Sequence, residues 1–170
     1  IYLSKNPAAI DLLKVNLDKV HWYELSSNPE AMELLITNLD KICWNNLSSN
    51  PNAINFIEQY LNDPIVCKKL DWDILSTNPN ALPILLKYPY MINWPRFSKN
   101  PAAMSILENT MCYIDWVYLS ENSAAIDFLT ANPIAIDVES LCSNPNGIPL
   151  LLEYGDINNY DWDGISMNPS

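Results

Sequence analysis

The sequence predicts an all-α protein, an α-solenoid of about seven stacked two-helix repeats of 22–28 residues with one longer and one shorter helix each. Three observations carry that expectation. The pattern W-x-x-L-S-x-N-P-x-A-I, complete within Ile42–Ile57 (ICWNNLSSNPNAINFI), recurs from end to end, some copies partial, with its Asn at Asn6, Asn28, Asn50, Asn78, Asn100, Asn122, Asn144 and Asn168. The intervals are 22, 22, 28, 22, 22, 22 and 24 residues, a repeat array. Apolar and small residues hold constant phase to that marker Asn. The chain has only 3 Gly, and just over half of its 13 Pro stand at one phase, which favours helices begun by Pro over a disordered or collagen-like chain.

Each copy opens at Asn-Pro. Asn accepts a hydrogen bond from an unpaired helix N–H, and Pro has no N–H to leave unpaired and a φ suited to the first turn. A helix is expected from about Pro7 to Lys14, stopping near Asn16, and likewise in the other copies. Its apolar residues Ala9, Ile10, Leu12 and Leu13 cover more than one narrow stripe, as an inner helix with neighbours on both sides requires. Three places after the marker stand Ala9, Ala31, Ala53, Ala81, Ala103, Ala125 and Gly147, small enough for close approach of successive helices. The rows Ile10, Met32, Ile54, Leu82, Met104, Ile126, Ile148 and Leu13, Leu35, Ile57, Leu85, Leu107, Leu129, Leu151 are expected to form a continuous core.

A second, shorter helix is announced by the aromatic. Trp22, Trp44, Trp72, Trp94, Trp116 and Trp162 each lie six residues before a marker, and Val138 takes the remaining equivalent place. The preceding residue is often a capping type, Asp71, Asn93, Asp115, Asp137 or Asp161, and His21 is read as a substituted cap. One turn on, on the same face, come Leu25, Leu47, Leu75, Phe97, Leu119, Leu141 and Ile165. This phase locking places the indoles in the interior. The alternative, a stacking platform for bases or a peptide, would be expected among basic residues.

Two intervals depart from the period. The six additional residues between Asn50 and Asn78 are expected between the two helices, within Tyr60–Lys69, as a loop on one face where a partner is met. Two more fall around Tyr154–Tyr160. Ser123 replaces Pro in one copy, and Asn132-Pro133 stands out of phase at the exit of a longer helix.

The consensus, close to N-P-x-A-I-x-L-L-x-x-N-x-x-x-I-x-W-x-x-L-S-x-N-P, resembles the tandem Asn-Pro/Trp repeats of uncharacterised proteins from giant, nucleocytoplasmic large DNA viruses, over essentially all 170 residues. The resemblance implies a helical repeat protein of viral origin, acting in the host cytoplasm or packaged in the virion. It brings no catalytic residues. A 22-residue helix pair is shorter than a tetratricopeptide or ankyrin unit, and the leucine-rich-repeat strand pattern is missing. Residues 1–170 are therefore expected to be a single repeat domain, cut from a longer array, since Ile1 is no initiator and follows the place of a Trp.

Charge is divided unevenly. All nine Lys and Arg lie in residues 1–100, nearly balanced there by ten Asp and Glu, whereas residues 101–170 hold ten acidic residues and no basic one. Such a field repels nucleic-acid phosphates and anionic membrane and attracts a basic protein, although acidic surfaces also serve solubility. The longest apolar runs, about five or six residues, fall far short of the roughly 20 needed to span a bilayer. No secretion signal stands at the start.

Catalytic and metal chemistry find few residues to use. Cys43, Cys67, Cys112 and Cys142 occupy different phases with no C-x-x-C pair and read as buried thiols of a reducing compartment. With His21 the sole His, no zinc ligand set, G-x-S-x-G elbow or glycine-rich phosphate loop can be assembled. No cofactor is expected. The Asn and Ser columns are read as caps and inter-repeat hydrogen bonds, not as readers of nucleotides. The expected role is a non-enzymatic interaction or scaffolding module for another protein. Its contacts are expected at Asp63, Lys68 and Lys69 of the insertion and at Glu139, Glu153, Asp156 and Asp163 of the acidic end. The rival expectation is a structural component of a viral particle or assembly with no switchable ligand.

Overall fold

A computed structural model of the chain describes residues 2–154, 156 and 159–168. These residues form sixteen α-helices, none longer than seven residues, and short 3-10 turns, with no strand among them. No described helix is long and apolar enough to cross a membrane. The chain divides into two compact units, Ile1–Met91 and Ile92–Ser170.

The expected start of the longer helix is present, with a local refinement. Asn6 Oδ1 accepts the Ala8 N–H at 3.0 Å, and Pro7–Ala9 turn as a 3-10 segment before the α-helix Ile10–Lys14. The same step recurs at Asn28, Asn50, Asn78 and Asn100. At Asn122 the bond to the Ala124 N–H persists at 2.9 Å although Ser123 replaces Pro, so the ring is dispensable while the carboxamide remains. The helix exit is closed by a second Asn column. Asn16, Asn38 and Asn132 each donate from Nδ2 to the carbonyl four residues back, at 2.9, 2.9 and 2.8 Å, satisfying an otherwise unpaired helix-end acceptor. Asn132-Pro133 thus belongs to this column, and its Pro opens the connecting turn Pro133–Ala135. Such 3-10 connectors, also Leu17–Lys19, Leu39–Lys41, Pro89–Met91 and Met111–Tyr113, are a third element of the repeat beyond the two expected helices.

Within each unit, successive copies are joined by two buried hydrogen-bond ladders. In the first unit, Asn28 Nδ2 donates to the Ser4 carbonyl at 3.0 Å, Asn50 Nδ2 to the Ser26 and Asn28 carbonyls at 3.1 and 2.8 Å, and Asn78 Nδ2 to the Ser48 carbonyl at 3.3 Å. In the second, Asn122 donates to Ser98 and Asn100, Asn144 to Ser120 and Asn122, and Asn168 to Cys142 and Asn144. Serine supplies the other ladder. Ser26 Oγ donates to the Trp22 carbonyl of its own helix and accepts the Cys43 N–H of the next copy, and Ser48, Ser98 and Ser120 repeat both contacts. No buried side-chain N or O among the described residues lacks a partner.

The apolar interior lies along these ladders. Leu13, Leu35, Ile57, Leu85, Leu107, Leu129 and Leu151 are buried, as are the Ala column and Leu25, Leu47, Leu75, Phe97, Leu119 and Leu141. Gly147 ends the Ala column where a Cβ would stand 2.6 Å from the Leu141 carbonyl oxygen, so this last contact is too tight even for Ala. The row beginning at Ile10 is less deep, with Met32, Leu82, Met104, Ile126 and Ile148 half-buried. The longer helix also keeps a solvent face, so it is not wholly internal, and in the first copy Leu12 is exposed.

The indoles are not sealed between copies. Only Trp72 is buried, at 9% exposure. Trp22, Trp44, Trp94 and Trp116 are half-buried, and Trp162 is 58% exposed. They lie at the rim, against a second ring. Trp44 stacks on Phe56 at 5.8 Å, Trp116 on Phe128 at 5.9 Å and Trp94 on Tyr113 at 4.4 Å, while the Leu or Phe one turn on fills the interior. Two smaller expectations also fail. His21 is exposed and makes no side-chain cap; its backbone N–H donates to Ser4 Oγ and its ring meets Tyr23 edge-on. Of the four thiols only Cys142 is buried, with Cys112 exposed and Cys43 and Cys67 between.

The insertion is helical, not a loop. Asp63 Oδ1 caps Pro64–Lys69 by accepting the Ile65 N–H at 2.8 Å, and Leu61, Val66 and Leu70 bury its inner side. The Cys67 carbonyl accepts from the Trp72 indole at 3.3 Å, which explains why this Trp is the deepest. The two-residue addition near Tyr154–Tyr160 lies partly outside the described residues.

Asn122→Asp provides a test of the ladder. As caps, Asp and Asn are equivalent, but Asp has no Nδ2 to donate. Asn122→Ala is expected to cost about 3 kcal/mol, one cap plus carbonyls left unpaired, and Asn122→Asp at least as much, measured by urea unfolding. An Asp variant of native stability would overturn the assignment. Trp72→Ala is expected to cost about 3–5 kcal/mol, the range for a buried aromatic, against less than about 0.5 kcal/mol for exposed Lys68→Ala.

Candidate functional site

Side chains that repeat from copy to copy are used up in ladder and core. Those that differ lie elsewhere. Two, five and eight places after each marker stand Ala8, Asp11, Lys14; Glu30, Glu33, Ile36; Asn52, Asn55, Glu58; Asn80, Pro83, Leu86 in the first unit, nearly all exposed. In the second unit the same places hold Ala102, Ser105, Glu108; Ala124, Asp127, Thr130; Asn146, Pro149, Leu152. Steps of three along a helix share a face. Each unit therefore carries a solvent-facing strip whose chemistry changes from copy to copy.

Shallow grooves run between adjacent copies on this strip. One of about 330 Å³ is lined by Pro7, Asp11, Lys14, Glu30 and Glu33, and one of about 420 Å³ by Asn52, Ile54, Asn55, Glu58 and Asn80. Ion pairs cross the same boundaries. Lys14 Nζ donates to Glu33 at 2.7 Å, and Lys87 pairs with Glu58. The Lys14–Glu33 hydrogen bond raises the ammonium above its ordinary pKa and lowers the carboxyl below its own. Such exposed pairs contribute little stability. A secondary ladder, not foreseen from the sequence, accompanies them. Asn52, Asn80 and Asn146 donate from Nδ2 to the Pro29, Pro51 and Ser123 carbonyls at 3.0, 3.1 and 2.8 Å. The recurrence of Asn two places after the marker was its available signal.

The residues expected to meet a partner are exposed but do not form one site. Asp63 is engaged as the cap of Pro64–Lys69, and Lys68 and Lys69 stand free of the core in that helix's last turn. In the second unit Glu139 and Asp163 occupy first turns of the shorter helices Val138–Cys142 and Trp162–Met167. Glu153 and Asp156 are exposed near the last longer helix, and the Glu153 carboxylate, hydrogen-bonded to Tyr154, raises the phenol's pKa. Among them, Glu139 lines a groove of about 510 Å³ with Asp137, Val138, Asn159, Tyr160 and Asp161. Asp137 and Asp161 were legible only as caps, a role they keep by accepting the Ser140 and Asp163 N–H groups at 2.8 and 3.1 Å.

Cys142 holds the Ser place of the buried ladder, with Sγ donating to the Val138 carbonyl at 3.2 Å. Burial pushes its thiol pKa up, opposed by a backbone hydrogen bond from Asp161. Among the described residues no three His, Cys, Asp or Glu side chains converge as metal ligands. No known family model, curated protein or solved structure matches the chain. Its function must be argued from its own surface.

Thiol chemistry checks the two extreme cysteines. The thiolate is the nucleophile, so iodoacetamide near neutral pH is expected to label exposed Cys112 first and Cys142 only on unfolding. Because the folded Cys142 pKa lies above the unfolded one, its contribution to stability is present below the unfolded value, about 8.5, and is lost as pH rises through the folded one. Cys142→Ser restores the hydroxyl that Ser26, Ser48, Ser98 and Ser120 place at this position and is expected to remove that alkaline loss, as read by thermal melting across pH.

Proposed function

We propose that this chain is a non-enzymatic protein–protein interaction or scaffolding module, an α-solenoid of about seven two-helix repeats whose acidic C-terminal half meets a basic protein. One observation carries the reading: residues shared between copies are spent on ladder and core, while those that differ face solvent. That is how a repeat array separates folding from recognition. The charge gives the partner's sign, since residues 101–170 hold ten carboxylates and no Lys or Arg, Glu121 being paired with Lys99 from outside that stretch. The resemblance to giant-virus repeats adds a setting, the host cytoplasm or the virion.

An oligolysine peptide labelled for fluorescence anisotropy tests the charge reading. Binding is expected at low salt and should weaken steeply by about 0.15 M, where the Debye length is about 8 Å. Glu139→Gln with Asp163→Asn should weaken it several-fold at fixed salt. Absence of binding, or binding indifferent to salt, would favour the structural component without a switchable ligand.

A further inference from the structure

The connecting turns Met111–Tyr113 and Pro133–Ala135 of the second unit present apolar side chains to solvent, where two turns of the first also carry an Asp–Lys pair. In the first unit two turns read Leu17-Asp18-Lys19 and Leu39-Asp40-Lys41, each with its own Asp–Lys pair at 2.7 and 2.9 Å, and a third, Pro89-Tyr90-Met91, exposes Tyr90. In the second they read Met111-Cys112-Tyr113 and Pro133-Ile134-Ala135. Met111 and Tyr113 are about half exposed, and Ile134 is wholly so, at 101%. A shallow groove of about 350 Å³ lies along Ala131–Ala135. The turns are placed side by side, because each precedes one of the packed shorter helices, Trp116–Ser120 and Val138–Cys142, by two residues. Packed helices lie about 8–10 Å apart, so neighbouring turns stand at that spacing.

The surroundings say what covers this ridge. Asp137 follows Ile134 by three residues, within about 10 Å along the chain, and opens onto the groove shared with Glu139 and Asp161. Asp115 follows Tyr113 by two residues. The only cations of the unit are Arg96 and Lys99, and Lys99 is paired with Glu121. An apolar ridge bordered by carboxylates on a surface this poor in cations is complementary to a segment apolar along its centre and cationic along its edges.

We propose that the Met111–Tyr113 and Pro133–Ala135 turns, with the Asp137, Glu139 and Asp161 groove beside them, dock a cationic amphipathic helix of a partner protein. The inference rests on the preceding functional reading and names its surface and ligand. A helix rises about 10.5 Å over seven residues, so apolar side chains at i and i+7 reach the two turns at once. Lysines or arginines on its flank then face the groove. Contact made through apolar side chains gives a salt-resistant component that a purely cationic coil lacks.

The test compares two labelled peptides of equal charge on the full chain, a Leu/Lys peptide with amphipathic helical spacing and oligolysine. The Leu/Lys peptide is expected to bind at least about tenfold tighter, 1.4 kcal/mol, and to keep most of that advantage at high salt. Met111→Ser with Ile134→Ser should abolish the advantage without lowering the melting temperature, whereas Leu39→Ser, on a first-unit turn, should not. Equal binding of both peptides, or an advantage indifferent to the Met111/Ile134 change, would overturn the docking ridge and leave the charge reading standing. Failure of both peptides would overturn the two together. Binding of the chain to phosphatidylcholine vesicles, lost in the same double variant, would instead assign the ridge to lipid and overturn the peptide.

Discussion

The buried carboxamide of the marker asparagine is the interaction on which the rest depends. It has one acceptor and two donors, and all are committed: the acceptor to its own helix start, the donors to carbonyls of the copy before, as Asn50, Asn122 and Asn144 show most fully. No other short side chain does both. Aspartate lacks the donors, serine the reach, and glutamine adds a methylene to a site with no spare volume. In a low-dielectric interior these bonds are strengthened, and leaving one unmade is costly. The Asn therefore never varies along the chain, while the apolar row beginning at Ile10 alternates among Ile, Met and Leu.

The smallness of the helices makes the same point. Segments of four to seven residues cannot hold themselves together in water, because nucleation outweighs the few bonds gained. Each is held by caps at its ends and by its neighbours. The Ser ladder adds a backbone N–H from the next copy to the shorter helices that hold Ser26, Ser48, Ser98 and Ser120, so the helix start of one copy and the helix interior of another are satisfied by a single hydroxyl. Stability is thus a property of adjacent pairs of copies, and the solvent-facing strip adds to it at Asn52, Asn80 and Asn146 while its other places are open to variation.

Much of this was legible in the residues. Asn-Pro marked helix starts, Asp71, Asn93, Asp115 and Asp137 marked the second ones, and the Leu column lies where its phase put it. The depth of the indoles was not, because periodicity tells which face a residue is on and not how far a neighbour covers it. The connectors escaped because no single residue type is common to LDK, PYM, MCY and PIA. The second donor to each Ser was hidden for another reason: it is a backbone amide and carries no side-chain signature. For the candidate surface, the acidic residues are exposed as read, but the groove at Glu139 arises between segments about one repeat apart, where no local pattern could show it.

The longer third interval has a wider meaning. Although six additional residues separate Asn50 from Asn78, both ladders pass through unbroken, with the Asp71 N–H on Ser48 Oγ at 2.9 Å and the Asn78 carboxamide on the Ser48 carbonyl. The spacing between rungs is therefore indifferent to what is spliced in between them. Such an architecture can lengthen its connectors, acquire foreign sequence there and try out new contacts without renegotiating its frame, which makes the connector a natural place for evolution, or an engineer, to graft an epitope.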